Sequence, residues 1–220
     1  MSDPDRLDVA ALLRSTAFAR LSTLLEKGGH VGPEDGTTYD FLRRHIVLIN
    51  EFYATWQSTV VETDECYHLL GDPEHFGRRH LGRHEMLVGA IACSVRLDPG
   101  AFSEGLRFDD FVQRMEMAIG SADMFVQLFA AQQRAGSDVE RRERARLRVE
   151  RCLRDLESLG FVDLVEDAGG SRRVIPRTAI HRFSLPAQAS GGDPSRISEA
   201  VEALMGRGTL RRTPVDGDDE

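Results

Sequence analysis

Arginine provides the clearest chemistry in this sequence. Seven arginines lie within residues 141–154, and Arg172 and Arg173 follow later in the chain. The guanidinium group donates paired N–H bonds to phosphate oxygens, so this clustering indicates phosphate binding. Placed at 100° steps on a helix, Arg144, Arg151 and Arg154 point away from the apolar stripe and Arg148 lies on its flank.

A second interpretation of the same arginines stays open. Glu150 and Asp155 share the exposed side of this helix, so the segment also fits a solvated face held by charge pairs four residues apart. The acidic residues favour contact with a phosphate backbone over tight base recognition.

No other residue pattern predicts catalysis, a cofactor or a metal. Cys66, Cys93 and Cys152 are scattered without CxxC spacing, which is typical of small apolar residues in a reducing cytoplasm. His80 and His84 do not form the HExxH zinc pattern. Phosphate-binding glycine loops and a GxSxG elbow are absent from the sequence, so we predict that the protein is not an enzyme.

The composition is that of a globular protein. The 220 residues, 24.5 kDa, suffice for one large domain or two small ones. The apolar runs are too short to span a bilayer, and the first residues lack a signal-peptide pattern, so a cytoplasmic protein without a membrane partner is expected.

The formal net charge of −8 by itself argues against nucleic-acid binding, but the charge is unevenly distributed. Residues 1–77 carry −7, residues 78–140 carry −2 and residues 183–220 carry −3. Residues 141–182 carry +4. The positively charged segment 141–182 contains the arginine cluster. The distribution of charge therefore keeps nucleic acid as a candidate partner despite the negative total.

The sequence pattern of the first half of the chain predicts two helices followed by a β-hairpin. Phe18, Leu21, Leu24 and Leu25 form the apolar stripe of a helix that ends at Gly28 and Gly29. A loop is predicted at 31–36, and a second helix at 38–56. The alternating segments 59–62 and 66–70 are predicted strands of a hairpin.

The second half repeats this order. Helices are predicted at 84–97, with Met86, Ala90, Cys93 and Leu97 on one side, at 108–119, at 124–131 and at 137–159. Ser137 and Glu140 form a capping box at the start of the last helix, and Gly160 ends it. Strands at 161–166 and 171–175 form a second hairpin.

Helices followed by a two-stranded wing, twice over, predict tandem winged-helix domains. The fold class is therefore mainly α with small β wings (α+β), with a C-terminal helical tail. The expected divisions are residues 1–77 for the first winged domain, used for dimerisation and partner contact, and 78–185 for the second, which contacts DNA. Residues 186–220 are predicted to hold a linker, one short amphipathic helix and a disordered acidic end.

Four stretches resemble the MukE family of bacterial MukBEF condensin subunits and its MksE-type relatives. They match in order and spacing from about residue 17 to 205. The stretches are Gly29-His30-Val31-Gly32, Glu51-Phe52-Tyr53-Ala54, Met86-Leu87-Val88-Gly89 through Leu97-Asp98-Pro99, and Gly136-Ser137-Asp138-Val139 with Leu153, Leu156, Leu159 and Gly160.

This resemblance implies a non-catalytic, nucleoid-associated subunit. Family members are tandem winged-helix homodimers that bind a MukF-like kleisin, which bridges the heads of the MukB-like SMC ATPase. The resemblance also implies sequence-nonspecific DNA contact by Arg148 of the helix and, by class, by Arg172 and Arg173 of the wing. Glu157 and Ser158 stand where the family has basic residues, so the DNA surface is expected to shift towards Arg141, Arg144 and Arg151, or to be weaker.

Two other functions remain as alternatives. A MukE-like subunit also serves Wadjet-type plasmid-defence condensins, and the sequence does not separate that role from chromosome segregation. A winged-helix transcription regulator is the further alternative, and it would bind a discrete operator without partners.

Overall fold

The structure is a computed structural model that describes residues 9–71, 81–98, 105–130, 136–166 and 170–184. Its helices are α1 Val9–Arg14, α2 Thr16–Glu26, α3 Thr37–Ala54, α4 Arg83–Arg96, α5 Phe108–Ile119, α6 Ala122–Ala130 and α7 Asp138–Ser158. Its strands are β1 His30–Val31, β2 Thr59–Thr63, β3 Cys66–Leu70, β4 Leu106–Arg107, β5 Val162–Glu166 and β6 Arg172–Pro176. Short 3-10 helices occupy Pro33–Asp35 and Thr178–Phe183. The prediction of a mainly helical α+β fold with small wings is confirmed.

The contacts divide the chain into two compact units. The first unit contains Met1–Arg79 with the short segments Ser158–Gly160 and Arg177–Ala179. The second unit contains His80–Glu157, Phe161–Pro176 and Ile180–Glu220.

The first unit packs helices α1, α2 and α3 against a sheet of order β1-β3-β2. The predicted hairpin is present, and Asp64 and Glu65 both have positive φ, as two-residue hairpin turns of the right twist require. Of the apolar stripe predicted for α2, Phe18, Leu21 and Leu25 are buried and Leu24 is partly buried. The buried core of this unit is Leu12, Phe18, Leu21, Leu25, Val31, Leu42, Ile49, Tyr53, Val60 and Tyr67.

The loop predicted at 31–36 is partly wrong. His30 and Val31 form strand β1, which pairs antiparallel with β3, and a 3-10 helix follows at Pro33–Asp35. A two-residue strand is too short to show an alternating pattern, so only the pairing with β3 reveals it. The same reason explains why β4 of the second unit was not predicted.

The second unit surrounds α4 with other elements. Every residue at 87–95 is buried, so the predicted one-sided stripe is wrong for this helix. Leu97, a member of that predicted stripe, is 48% exposed. A helix that is covered on all sides has no polar face to set a period, which explains the error.

Helix α7 begins and ends as the sequence predicts. The Ser137 N–H donates to Glu140 Oε2 at 2.8 Å, and the Glu140 N–H donates to Ser137 Oγ at 3.3 Å. This reciprocal pair is a capping box. At the other end Gly160 has φ of 77°, and the Phe161 N–H donates to the Leu156 carbonyl at 3.0 Å. The local signals therefore set both ends of the longest helix described.

Several predicted segments lie outside the described residues. They are most of the connector after Gly71, most of the wing turn at 167–170, and the linker, helix and acidic end from 186 onward. None of the described helices is long and apolar enough to cross a membrane.

Glu34 of the first unit supports a prediction about acid stability. Its Oε1 accepts hydrogen bonds from the Thr178 N–H at 2.6 Å and from Thr178 Oγ1 at 2.5 Å. Burial raises the pKa of Glu34, but these bonds and the charge of Arg177 outweigh it, so the pKa lies below its usual 4.5. A lowered pKa in the folded state adds stability above the unfolded pKa, and the gain disappears as the pH falls through the folded pKa.

We expect Glu34→Gln to lower the free energy of unfolding by about 1 kcal/mol near neutral pH, since the carboxylate is only partly shielded from solvent. The difference in Tm between parent and variant should shrink as the pH falls from about 7 to about 3. Thermal denaturation followed by circular dichroism measures both. A Tm difference that stays constant over this range would contradict the assignment.

Candidate nucleic-acid interface

Helix α7 presents two chemically different flanks beside a buried face. Ala145, Val149, Cys152, Leu153 and Leu156 are buried and form that face, as the periodicity predicts. Leu147 lies opposite them and is 55% exposed. The helix is therefore anchored on one side and open to solvent on the other.

One flank is basic. Arg141, Arg144, Arg148 and Arg151 lie within roughly 80° of one another around the helix, and we call these four residues the basic flank. Arg151 is exposed, and the other three are half-buried. Asp155 lies on the same flank and reduces its positive potential.

The basic flank lies on the side of α7 that approaches the start of α4. Burial lowers the pKa of His84, and the positive charge of Arg148 lowers it further. The His84 Nε2 lies 3.0 Å from the Leu128 carbonyl oxygen. Cys152 Sγ lies 3.8 Å from Glu85 Oε1. The Cys152–Glu85 contact and the effect of Arg148 on His84 place this side of α7 near the start of α4, whereas the His84–Leu128 contact joins α4 to α6.

The other flank is acidic. Glu143, Glu150 and Glu157 recur every seven residues, and we call them the acidic flank. Arg154 Nη2 donates to Glu150 Oε1 at 2.5 Å, and Arg172 of strand β6 donates to the same oxygen. The Leu164 N–H of β5 donates to Glu157 Oε1 at 3.0 Å. The wing hairpin therefore packs beside the acidic flank.

Arg172 and Arg173 lie on opposite faces of the wing sheet, because side chains alternate along a strand. Arg172 shares the face of the buried Val174 and is held by Glu150 and, at 3.3 Å, by Glu166. Arg173 belongs to the outer face, where its register partners are Arg107 on β4 and Val165 on β5. The two adjacent wing arginines therefore have different surroundings.

The predicted residues divide into three groups. Four form the basic flank, where Arg141 pairs with Asp138 and the Arg144 Nε donates to the Glu140 carbonyl at 3.3 Å. Arg154 and Arg172 meet at Glu150. Arg173 lies apart on the outer face of the wing. The solvated, ion-paired interpretation thus describes part of the surface, and among the described residues no carboxylate pairs with Arg151.

Two further arginines of α7 attach this helix to α5. Arg142 Nη2 lies 2.7 Å from Glu116 Oε1. Arg146 pairs with Asp109, and its guanidinium carbon lies 5.3 Å from the centre of the Phe108 ring. These contacts withdraw both side chains from the candidate interface. The exposed Arg107, by contrast, was missed, because β4 carries no sequence signal of its own.

The described part of the chain offers neither a cluster of metal ligands nor a reactive cysteine. No cluster of three potential metal ligands is found there. Cys66, Cys93 and Cys152 are free and buried. Burial raises the pKa of Cys93 to about 11 and that of Cys152 to about 12, so neither is a reactive thiolate at neutral pH.

Comparison with known proteins identifies relatives over most of the chain. The family model described as "Condensin complex protein MksE" matches residues 16–186. The chain is 26% identical to "Chromosome partition protein MukE" of Vibrio vulnificus (strain YJ016) over 195 residues, covering 87% of this chain and 81% of the relative. The protein of the same name from Photorhabdus laumondii is 24% identical over 191 residues, covering 86% and 81%.

Proposed function

The chain belongs to the MksE family of condensin complex proteins, and from this membership we propose that it is a non-catalytic subunit of a bacterial SMC complex. It binds the kleisin subunit as a homodimer and assists DNA capture for chromosome condensation and segregation. The observation that supports this proposal most strongly is the family match over residues 16–186, which spans both structural units. The chromosome-partition names of the relatives support the same role.

The distribution of charge along the chain assigns a different role to each of the two units. The first unit, whose sequence is acidic, mediates dimerisation and kleisin contact, and the second unit contacts DNA. The basic flank of α7 carries the DNA contact because its guanidinium groups line one side of a helix whose position is fixed by burial. Arg154 and Arg172 must leave Glu150 before either binds phosphate, so their contribution is smaller.

The partners follow from the same membership. A MukB-like SMC ATPase, reached through the MukF-like kleisin, hydrolyses ATP, and this chain needs no cofactor for its part. Its place is the cytoplasm at the nucleoid. DNA binding by this subunit alone is weak, sequence-nonspecific and salt-sensitive, because an overall charge of −8 limits its affinity for phosphate.

The test is affinity purification of the tagged full chain from its native cells, followed by mass spectrometry and by reconstitution from purified subunits. We expect a kleisin and an SMC ATPase to co-purify, and the reconstituted complex to contain two copies of this chain on size-exclusion chromatography with light scattering. The absence of both partners, together with a discrete operator footprint by the isolated protein, would contradict the proposal and favour a transcription regulator.

A further inference from the structure

The outer face of the wing sheet places two arginines side by side across strands. Strand β6 lies in the middle of the order β4-β6-β5, and Arg173 on it is the register partner of Arg107 on β4. Side chains directly opposite on antiparallel strands have Cβ atoms about 5 Å apart, and like charges there repel each other. The register therefore brings two positively charged side chains to the same part of the outer face.

Arg107 is available to bind an anion. It is exposed, and among the described residues no carboxylate forms an ion pair with it. Asp109 follows it in the first turn of α5 but pairs with Arg146. Asp163 lies on the same sheet face, opposite Ile175, so the face is positive but not purely basic.

Arg172, unlike Arg107, already forms ion pairs with carboxylates. It lies on the inner face, with Glu150 and Glu166 as partners, and therefore holds the wing to α7. Val165, on the other side of Arg173, is 45% exposed and leaves the outer face open to solvent. The outer face is thus the side of the wing on which a phosphate group can reach the exposed Arg107.

We propose that Arg107, beside Arg173, is a phosphate contact for DNA on the outer face of the wing, and that Arg172 positions the wing. This inference rests on the proposed DNA-contacting function of the second unit and adds a residue outside the helix-and-wing hairpin. A phosphate beside Arg107 would accept N–H bonds from its exposed guanidinium group, and the positive charge of the neighbouring Arg173 would favour phosphate binding.

The test measures binding of a labelled random-sequence DNA duplex to the reconstituted complex by fluorescence anisotropy across a salt titration. We expect Arg107→Glu to weaken binding about threefold to tenfold, and Arg107→Gln to reduce the slope of log K against log salt by about 1. Arg20→Glu, at an exposed arginine on α2 of the first unit, is the matched control with the same charge change. A pull-down with the kleisin first checks that this variant still assembles, and the DNA affinity of the complex that contains it should then equal the parent value.

Three outcomes decide the inference. Loss of affinity in the Arg107 variants alone supports it. Equal loss in Arg107→Glu and Arg20→Glu would overturn it, because the effect would then come from overall charge. Unchanged binding by the Arg107 variants overturns it as well. If a basic-flank variant then binds DNA more weakly than the parent, the proposed function stands and only the inference about Arg107 fails. If the basic-flank variant also binds DNA as the parent does, the proposed DNA contact and the inference are both overturned.

Discussion

Replacing Gly160 by alanine is expected to lower the free energy of unfolding by about 2 to 4 kcal/mol. Gly160 has φ of 77°, where an L-residue with a Cβ is strained. A Cβ at this position would also lie 2.6 Å from the His30 carbonyl oxygen. The folded state of the variant therefore carries two free-energy costs, one from the strained backbone conformation of residue 160 and one from the steric clash with the His30 carbonyl.

The neighbouring backbone has little freedom to move away. The His30 N–H donates to the Leu159 carbonyl at 3.0 Å, and His30 is 3% exposed. Its strand β1 pairs with β3 in the sheet of the first unit. Moving the His30 carbonyl would disturb these hydrogen bonds, so we expect the clash to be expressed as lost stability rather than as a small adjustment.

Gly170→Ala is the matched control for this prediction. Gly170 has nearly the same φ, 73°, but nothing lies within 4 Å of a Cβ placed there. Urea unfolding of both variants separates the conformational cost, common to the two, from the contact cost, specific to Gly160. Equal loss of stability in the two variants would show that the close approach to His30 contributes nothing.

The second large effect is expected on DNA binding. Reversing two charges of the basic flank, Arg148→Glu with Arg151→Glu, should weaken DNA binding by the reconstituted complex about tenfold to a hundredfold at moderate salt. The change removes two potential phosphate contacts and adds repulsion at each. Arg151 is exposed, and Arg148 lies on the same side of the helix one turn away, so one strand of phosphates can meet both.

The measurement is fluorescence anisotropy with a random-sequence duplex over a range of salt concentrations. A pull-down with the kleisin checks that assembly is preserved. Arg43→Glu with Arg44→Glu, both exposed on α3 of the first unit, provides a control with the same change in net charge. An affinity equal to that of this control at every salt concentration would remove the basic flank from the DNA interface.

Much of the fold follows from short-range sequence patterns. The apolar stripe and capping box of α7 predicted its buried face and its start, and the alternating segments predicted both hairpins. These signals involve residues a few positions apart, so the chain carries them before it folds. Helix α1, strands β1 and β4 and the full burial of α4 were missed, since a short or completely covered element has no distinctive period.

The candidate interface was predictable only in part. The charge distribution drew attention to the arginines despite a total of −8, and helical spacing separated the basic flank from the buried face. The spacing did not show that Glu150 neutralises Arg172, which is 22 residues away in sequence. Nor could it show that Arg107 is the register partner of Arg173.

Sequence alone thus determined the family, the mainly helical fold with wings, and the region in which positive charge is concentrated. The tertiary structure decided which of those charges carry a carboxylate partner. The physical reason is that helix caps and apolar periodicity depend on neighbours along the chain, whereas an ion pair depends on distance in space. Wing strand β6 reaches Glu150 and strand β4 reaches Arg173 only after the second unit has packed.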